Sequence, residues 1–173
     1  MVHLYKPLTR IINKSLISGH FPNNWKSAKV VPLHKKNSPK LLDNYRPVSL
    51  LPVSGMILER IVAQQIEHHF ESNGLLGSFQ YGFRKGKSTI SELLTLFDTL
   101  LEAKENRKEI LLILYDLSAA FDCISHETLV AKMEIYGFNE HALEWLKSYL
   151  KSRKQHGRFE LVDSRFWAKQ FCR

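Results

Sequence analysis

The sequence predicts an α+β, helix-rich fold, on three observations. Five stretches repeat apolar residues at helical spacing, while only two runs read as strands. Glycine, proline and asparagine fall between these stretches, where turns need them. At 173 residues, 44% hydrophobic and 24% charged, the chain suits one domain, or a domain and part of another, and its composition excludes disorder.

The elements follow in order. Leu4, Leu8, Ile11, Ile12 and Leu16 share one face of a first helix, and Gly19 stops it. Phe21-Pro22-Asn23-Asn24 reads as a turn. Ala28 to Leu33 reads as a strand, which Pro32 confines to an edge or a strand end. His34 to Lys40 is a basic loop, and Asn44-Tyr45-Arg46-Pro47 reads as a second turn. Leu58, Ile61, Val62, Ile66 and Phe70 line a second helix, ended at Asn73-Gly74. Gly77 to Lys87 is a glycine-rich, basic loop. Thr89 with Glu92 has the form of a capping box, opening a third helix whose buried stripe is Ile90, Leu93, Leu94, Phe97, Leu100 and Leu101.

After a polar connector, Ile110 to Tyr115 is a continuous apolar run, expected as a strand buried on both faces and ending on Asp116. Leu129, Val130, Met133 and Tyr136 mark a fourth helix closed by Gly137. Ala142, Leu143, Trp145, Leu146, Tyr149 and Leu150 mark a fifth. The pattern fails from Lys151, and residues 153–173 are expected to be irregular.

Charge narrows the function. Lys plus Arg is 25 against 17 for Asp plus Glu, a net charge of +8. That excess points to a polyanionic partner. Cys123 and Cys172 are too few for a disulfide framework or a zinc cluster, so no disulfide partner is expected and a reducing, intracellular setting (nucleus or cytoplasm) is. The first residues carry no apolar signal core, and the Ile110–Tyr115 run is far short of a membrane span, so no membrane partner is expected.

A carboxylate at the end of a rigid strand is a place for metal chemistry, and Asp116 is a candidate Mg²⁺ ligand. Asp122 lies beyond a small-residue turn and suits a helix cap. A P-loop is the rival reading, with Gly82-Phe83-Arg84-Lys85-Gly86-Lys87-Ser88-Thr89 as the phosphate loop. It fails: three residues separate the glycines where four are needed, Tyr81 stands where the first glycine belongs, and no apolar strand precedes it. His68, His69, His126 and His141 have no partners at metal-ligand spacing.

Several blocks occur in order along the chain: Phe21-Pro22-x-x-Trp25-Lys26, Val31-Pro32-Leu33-x-Lys35-Lys36, Asn44-Tyr45-Arg46-Pro47-Val48-Ser49-Leu50-Leu51 and Glu59-Arg60. Gln80-x-Gly82-Phe83-Arg84 with Ser88-Thr89, Tyr115-Asp116-Leu117-Ser118-x-Ala120-Phe121-Asp122, and Trp145-x-x-Ser148-Tyr149-Leu150 complete the set. Together they resemble the reverse transcriptase of non-LTR (LINE-type) retrotransposons, an RNA-directed DNA polymerase. The resemblance implies a right-hand polymerase: fingers over residues 1–109, and the start of an incomplete palm over 110–152. It implies a catalytic role for Asp116 as a ligand of Mg²⁺, with the backbone carbonyl of Leu117 in the same shell. Lys35 or Lys36 and Arg46 would grip the triphosphate of a dNTP, and Phe121 would be the steric gate against a ribose hydroxyl. Arg84, Lys85 and Lys87 would lie near nucleic acid. The implied partners are an RNA template, a DNA primer and a dNTP.

The chain departs from that family late. It has no Asp-Asp dipeptide, so the Tyr-x-Asp-Asp hairpin is missing, and the one aspartate after Asp122 is Asp163. The expectation is a fragment of the enzyme, inactive by itself and binding Mg²⁺ weakly or not at all. The alternative is a non-catalytic, basic nucleic-acid-binding remnant.

Overall fold

A computed structural model describes residues 4–35, 38–41, 44–117, 120 and 123–157. Among them are five α-helices and three strands: α1 (Tyr5–Ser18), β1 (Ser27–His34), β2 (Tyr45–Leu50), α2 (Val53–Ser72), α3 (Thr89–Glu105), α4 (His126–Ile135), α5 (Glu140–Leu150) and β3 (Lys154–His156). A 3-10 turn at Asn23–Trp25 joins α1 to β1. The mixed, helix-rich class is as the sequence predicts. The chain divides into two compact units, residues 1–63 with 125–173, and residues 64–124.

In the first unit the core lies among α1, α2 and α5. Ile12, Phe21, Leu58 and Trp145 are buried together, with Leu8, Leu16, Trp25, Ile61, Val62 and Tyr149 packed against them. Gly19 ends α1 with φ +62°, a left-handed conformation that costs glycine nothing. The reversal carries Phe21 back into the core, where it is fully buried. Its ring meets those of Trp25, Trp145 and Tyr149 edge-on, at centroid distances of 6.3, 5.7 and 5.2 Å.

A polar seam runs beside these rings. The Trp145 indole donates to the Ser15 hydroxyl (3.1 Å), which donates to the His20 carbonyl (2.6 Å). The Phe21 N–H donates to the Ser148 hydroxyl at 3.0 Å. Every polar atom named in this seam has a partner, the condition under which a buried network costs little. Lys26 is also buried, and burial, then the charges of Arg153 and Lys151, push its pKa down.

The sheet has the order β2-β1-β3, antiparallel between β1 and β2 and parallel between β1 and β3. Tyr45-Arg46-Pro47 is therefore strand and not turn, and Lys154–His156 is strand where an irregular tail is expected. The hydrogen-bond phase explains how the prolines fit. The Lys35 N–H donates to the Asn44 carbonyl at 2.7 Å, which makes 35/44 a bonded pair. Antiparallel pairs alternate, so Leu33↔Arg46 is bonded and Pro32↔Pro47 is not. Two residues without an N–H thus face each other where neither needs one. β3 reaches only Ser27 to Lys29, so Pro32 also lies where β1 has a single neighbour among the described strands.

Two expectations fail in the second unit. No residue of α3 is buried, and Ile90, Leu93, Leu94, Phe97 and Leu101 are all more than half exposed. Ile110 to Tyr115 forms no strand, and Leu111, Leu114 and Tyr115 are more than four-fifths exposed. Apolar spacing announces a face that wants cover; it does not supply the cover. A strand needs a neighbour to bond, and none of the described strands pairs with this run. The α3 cap also moves by one residue. Ser88, with Ser91 as its reciprocal partner, makes the capping box in place of Thr89 and Glu92. At α4 the capping side chain is that of Ser125, which accepts from the Thr128 N–H at 3.3 Å.

Candidate functional site

The residues singled out by sequence fall in both units. In the first, the β1–β2 hairpin carries Lys35 and Arg46. Alternation along β1 buries Ala28 and Val30 and leaves Lys29 exposed, so odd-numbered positions face solvent. Arg46 is opposite Leu33, and Lys35 lies two residues beyond Leu33, on the same face. The two cations are thus diagonal neighbours on one exposed face, a separation of about 7–8 Å between backbone positions. Lys29 shares that face; strict alternation is the signal that adds it. Across the narrow 34/45 pair, the His34 and Tyr45 rings meet edge-on at 5.3 Å. Lys36 lies outside the described residues.

In the second unit the loop between α2 and α3 holds Arg84, Lys85 and Lys87. Arg84 is not a solvated cation. Its Nε and Nη2 donate to the two carboxylate oxygens of Glu71 on α2 at 2.9 and 2.6 Å, and Nη1 donates to the Gly77 carbonyl at 3.0 Å. The Lys87 ammonium donates to the Ser78 carbonyl at 3.0 Å and stands 4.4 Å from the centre of the Tyr81 ring. The Tyr81 hydroxyl is 3.0 Å from that of Thr95 on α3. Lys85 is exposed.

The Arg84 hydrogen bonds hold the Glu71 carboxyl below its ordinary pKa of 4.5. For a carboxyl with a lowered folded-state pKa, the stabilisation is present above the ordinary value and lost as pH falls through the folded one. The pair should therefore survive to pH 4.5 and break only below it. A carbon-13 titration of the Glu71 carboxyl would follow this, with the midpoint returning to the ordinary range in Arg84→Gln.

Asp116 lies in the exposed 110–117 segment, which has no regular structure. Leu117 follows it and is 76% exposed. Phe121 and Asp122 lie outside the described residues. Among the described residues no group of three or more His, Cys, Asp or Glu is placed to hold a metal ion. One exposed carboxylate does not meet the octahedral oxygen demand of Mg²⁺, so the described residues alone do not fit a Mg²⁺ centre.

The family assignment comes from comparison. The reverse transcriptase (RNA-dependent DNA polymerase) family matches residues 33–168. The chain belongs to the reverse transcriptase family. The RNA-directed DNA polymerase from mobile element jockey of Drosophila melanogaster is 34% identical over 86% of the chain and 16% of its own length. The probable RNA-directed DNA polymerase from transposon X-element of the same fly is 30% identical, over 91% of the chain and 17% of its own length. The Pol polyprotein from the type-1 retrotransposable element R2 of Popillia japonica is 24% identical over 78% and 18%. This reverse transcriptase segment thus spans about a sixth of the length of these relatives.

Sequence reasoning missed one packing residue of the segment. Arg153 lies in the stretch expected to be irregular. Its guanidinium is 4.0 Å from the Tyr149 ring centre and bonds Glu59 at 2.8 Å and the Tyr149 carbonyl at 3.0 Å. No helix among the described residues is long and apolar enough to cross a membrane.

Proposed function

We propose that this chain supplies the fingers, residues 1–109, and the start of the palm, residues 110–152, of a right-hand polymerase that copies RNA into DNA. The observation that carries the reading is the family match over residues 33–168, which takes in most of the ordered set of motifs. In the proposed reaction a primer 3′-hydroxyl loses its proton and its oxygen attacks the α-phosphate of a dNTP, the α–β phosphoanhydride bond breaks and pyrophosphate leaves. Arg46 and one of Lys35 or Lys36 hold the triphosphate, since a guanidinium pairs with phosphate oxygens bidentately and an ammonium neutralises them. The shared exposed face of Lys35 and Arg46 supports this role. Phe121 is the proposed steric gate against a ribose hydroxyl.

Asp116 is the catalytic carboxylate, and the Leu117 carbonyl is its neighbour in the proposed Mg²⁺ shell. The metal, when bound, would neutralise charge developing on the reacting phosphate. Its remaining carboxylate ligands would have to come from beyond the described residues. The loop bearing Arg84, Lys85 and Lys87 is the proposed contact to template and primer.

Binding tests the nucleic-acid part of this reading. Phosphate contacts release counterions, so affinity for single-stranded RNA should fall steeply between about 50 and 200 mM salt, with little preference for sequence. Filter binding with two unrelated oligonucleotides reads this. A salt-independent affinity in folded protein would refute it.

A further inference from the structure

We propose that the three cations of the loop between α2 and α3 divide their work: Arg84 and Lys87 brace the loop, Glu71 and Arg84 are positioning residues, and Lys85 meets the nucleic-acid phosphate. This rests on the proposed nucleic-acid contact of that loop and assigns the roles within it.

The braces are visible as bonds. Three of the five N–H donors of Arg84 are spent on Glu71 and Gly77, and its side chain is only 14% exposed. The two donors left over belong to a largely covered guanidinium already paired to a carboxylate, whose charge opposes that of an approaching phosphate. Lys87 is likewise turned onto the Ser78 carbonyl and the Tyr81 ring. These contacts tie the loop back on itself and to α2, while Tyr81 ties it to Thr95 of α3.

Lys85 lies between the two braces. Phe83 and Gly86 flank the Arg84-Lys85 pair with φ of +59° and +76°, so the backbone passes through a left-handed conformation just before the pair and again just after it. Of the two cations held between these turns, Arg84 is drawn onto Glu71 and Gly77, and Lys85 is left exposed. An ammonium on a braced loop can meet a phosphate without first giving up a carboxylate.

Fluorescence anisotropy of the 173-residue chain with a labelled oligo-uridine of about 20 nucleotides, from about 50 to 200 mM KCl, tests the division. Lys85→Gln should lower the log–log salt slope by about 0.7, one phosphate contact on a single strand. The charge swap Glu71→Arg with Arg84→Glu keeps the net charge and restores a pair of opposite polarity. It should bind within about twofold of the parent at each salt concentration, because bracing survives the swap. Weaker binding by the folded swap, with Lys85→Gln neutral, would make Arg84 the contact and overturn the proposal.

Hydrogen exchange supplies a readout independent of binding. Amides of residues 77–87 should exchange faster in Glu71→Gln than in the parent, and equal rates would refute the brace even where binding persists. Absence of any salt-dependent binding by the parent would instead remove the nucleic-acid reading, and the role of Lys85 with it.

Discussion

Phe21→Ala should destabilise the first unit by about 3–5 kcal/mol, the usual cost of emptying a buried phenylalanine site. The ring is fully buried and touches Trp25, Trp145 and Tyr149, with the Arg153 guanidinium 5.6 Å from its centre. These neighbours come from the 3-10 turn, α5 and the segment after it, so the cavity cannot close by moving one side chain. Against a typical stability of about 5–15 kcal/mol, the loss leaves little folded protein in reserve. Urea unfolding followed by tryptophan fluorescence would show it as a lowered midpoint. Leu33→Ala is the control: Leu33 is 54% exposed, and its loss should cost within about 0.5 kcal/mol. Equal shifts in the two variants would refute this account of the core.

The second large effect is on catalysis. The 173-residue chain by itself should give no primer extension on an RNA template with Mg²⁺ or Mn²⁺. Two-metal transfer needs several carboxylate oxygens held rigidly together. Here Asp116 lies exposed in an irregular segment, no described cluster adds to it, and the sequence has no Asp-Asp dipeptide. In a longer polymerase carrying this segment, Asp116→Asn should lower extension by on the order of a thousandfold or more, since metal stabilisation is worth several kcal/mol. Incorporation by the purified chain that disappears in Asp116→Ala would overturn the first expectation.

Much of the helical architecture is legible in the sequence because its signals are local. Apolar spacing locates α1, α2, α4 and α5, and Gly19 marks the end of α1. Tyr45-Arg46-Pro47 reads as a turn because turn chemistry is local while strand pairing is not: only the phase of the ladder makes Pro47 acceptable there. The α3 stripe and the Ile110–Tyr115 run are apolar as read but not buried, since burial depends on a second surface.

The candidate site divides the same way. The cations of the β1–β2 hairpin can be found from their motifs, and their common face follows from alternation. The partners of Arg84 and Lys87 cannot, because a braced cation and a solvated one look alike in sequence. Glu71 lies 13 residues from Arg84, beyond any helical spacing rule.

The facing prolines of the hairpin bear on self-association. In a pair that exchanges no bonds, N–H groups would point away from the partner strand, toward the outer edges of the ladder. Among the described strands, at Pro47 the outer edge of β2 has no donor to offer, and at Pro32 the side of β1 that β3 leaves open has none either. A strand arriving from a second molecule would meet a gap at the same level on both sides. A one-residue slip of the hairpin is also penalised, because it would turn one proline inward, where a donor is required. The two rings thus hold the register that sets Lys35 beside Arg46, and they make both edges poor templates for aggregation.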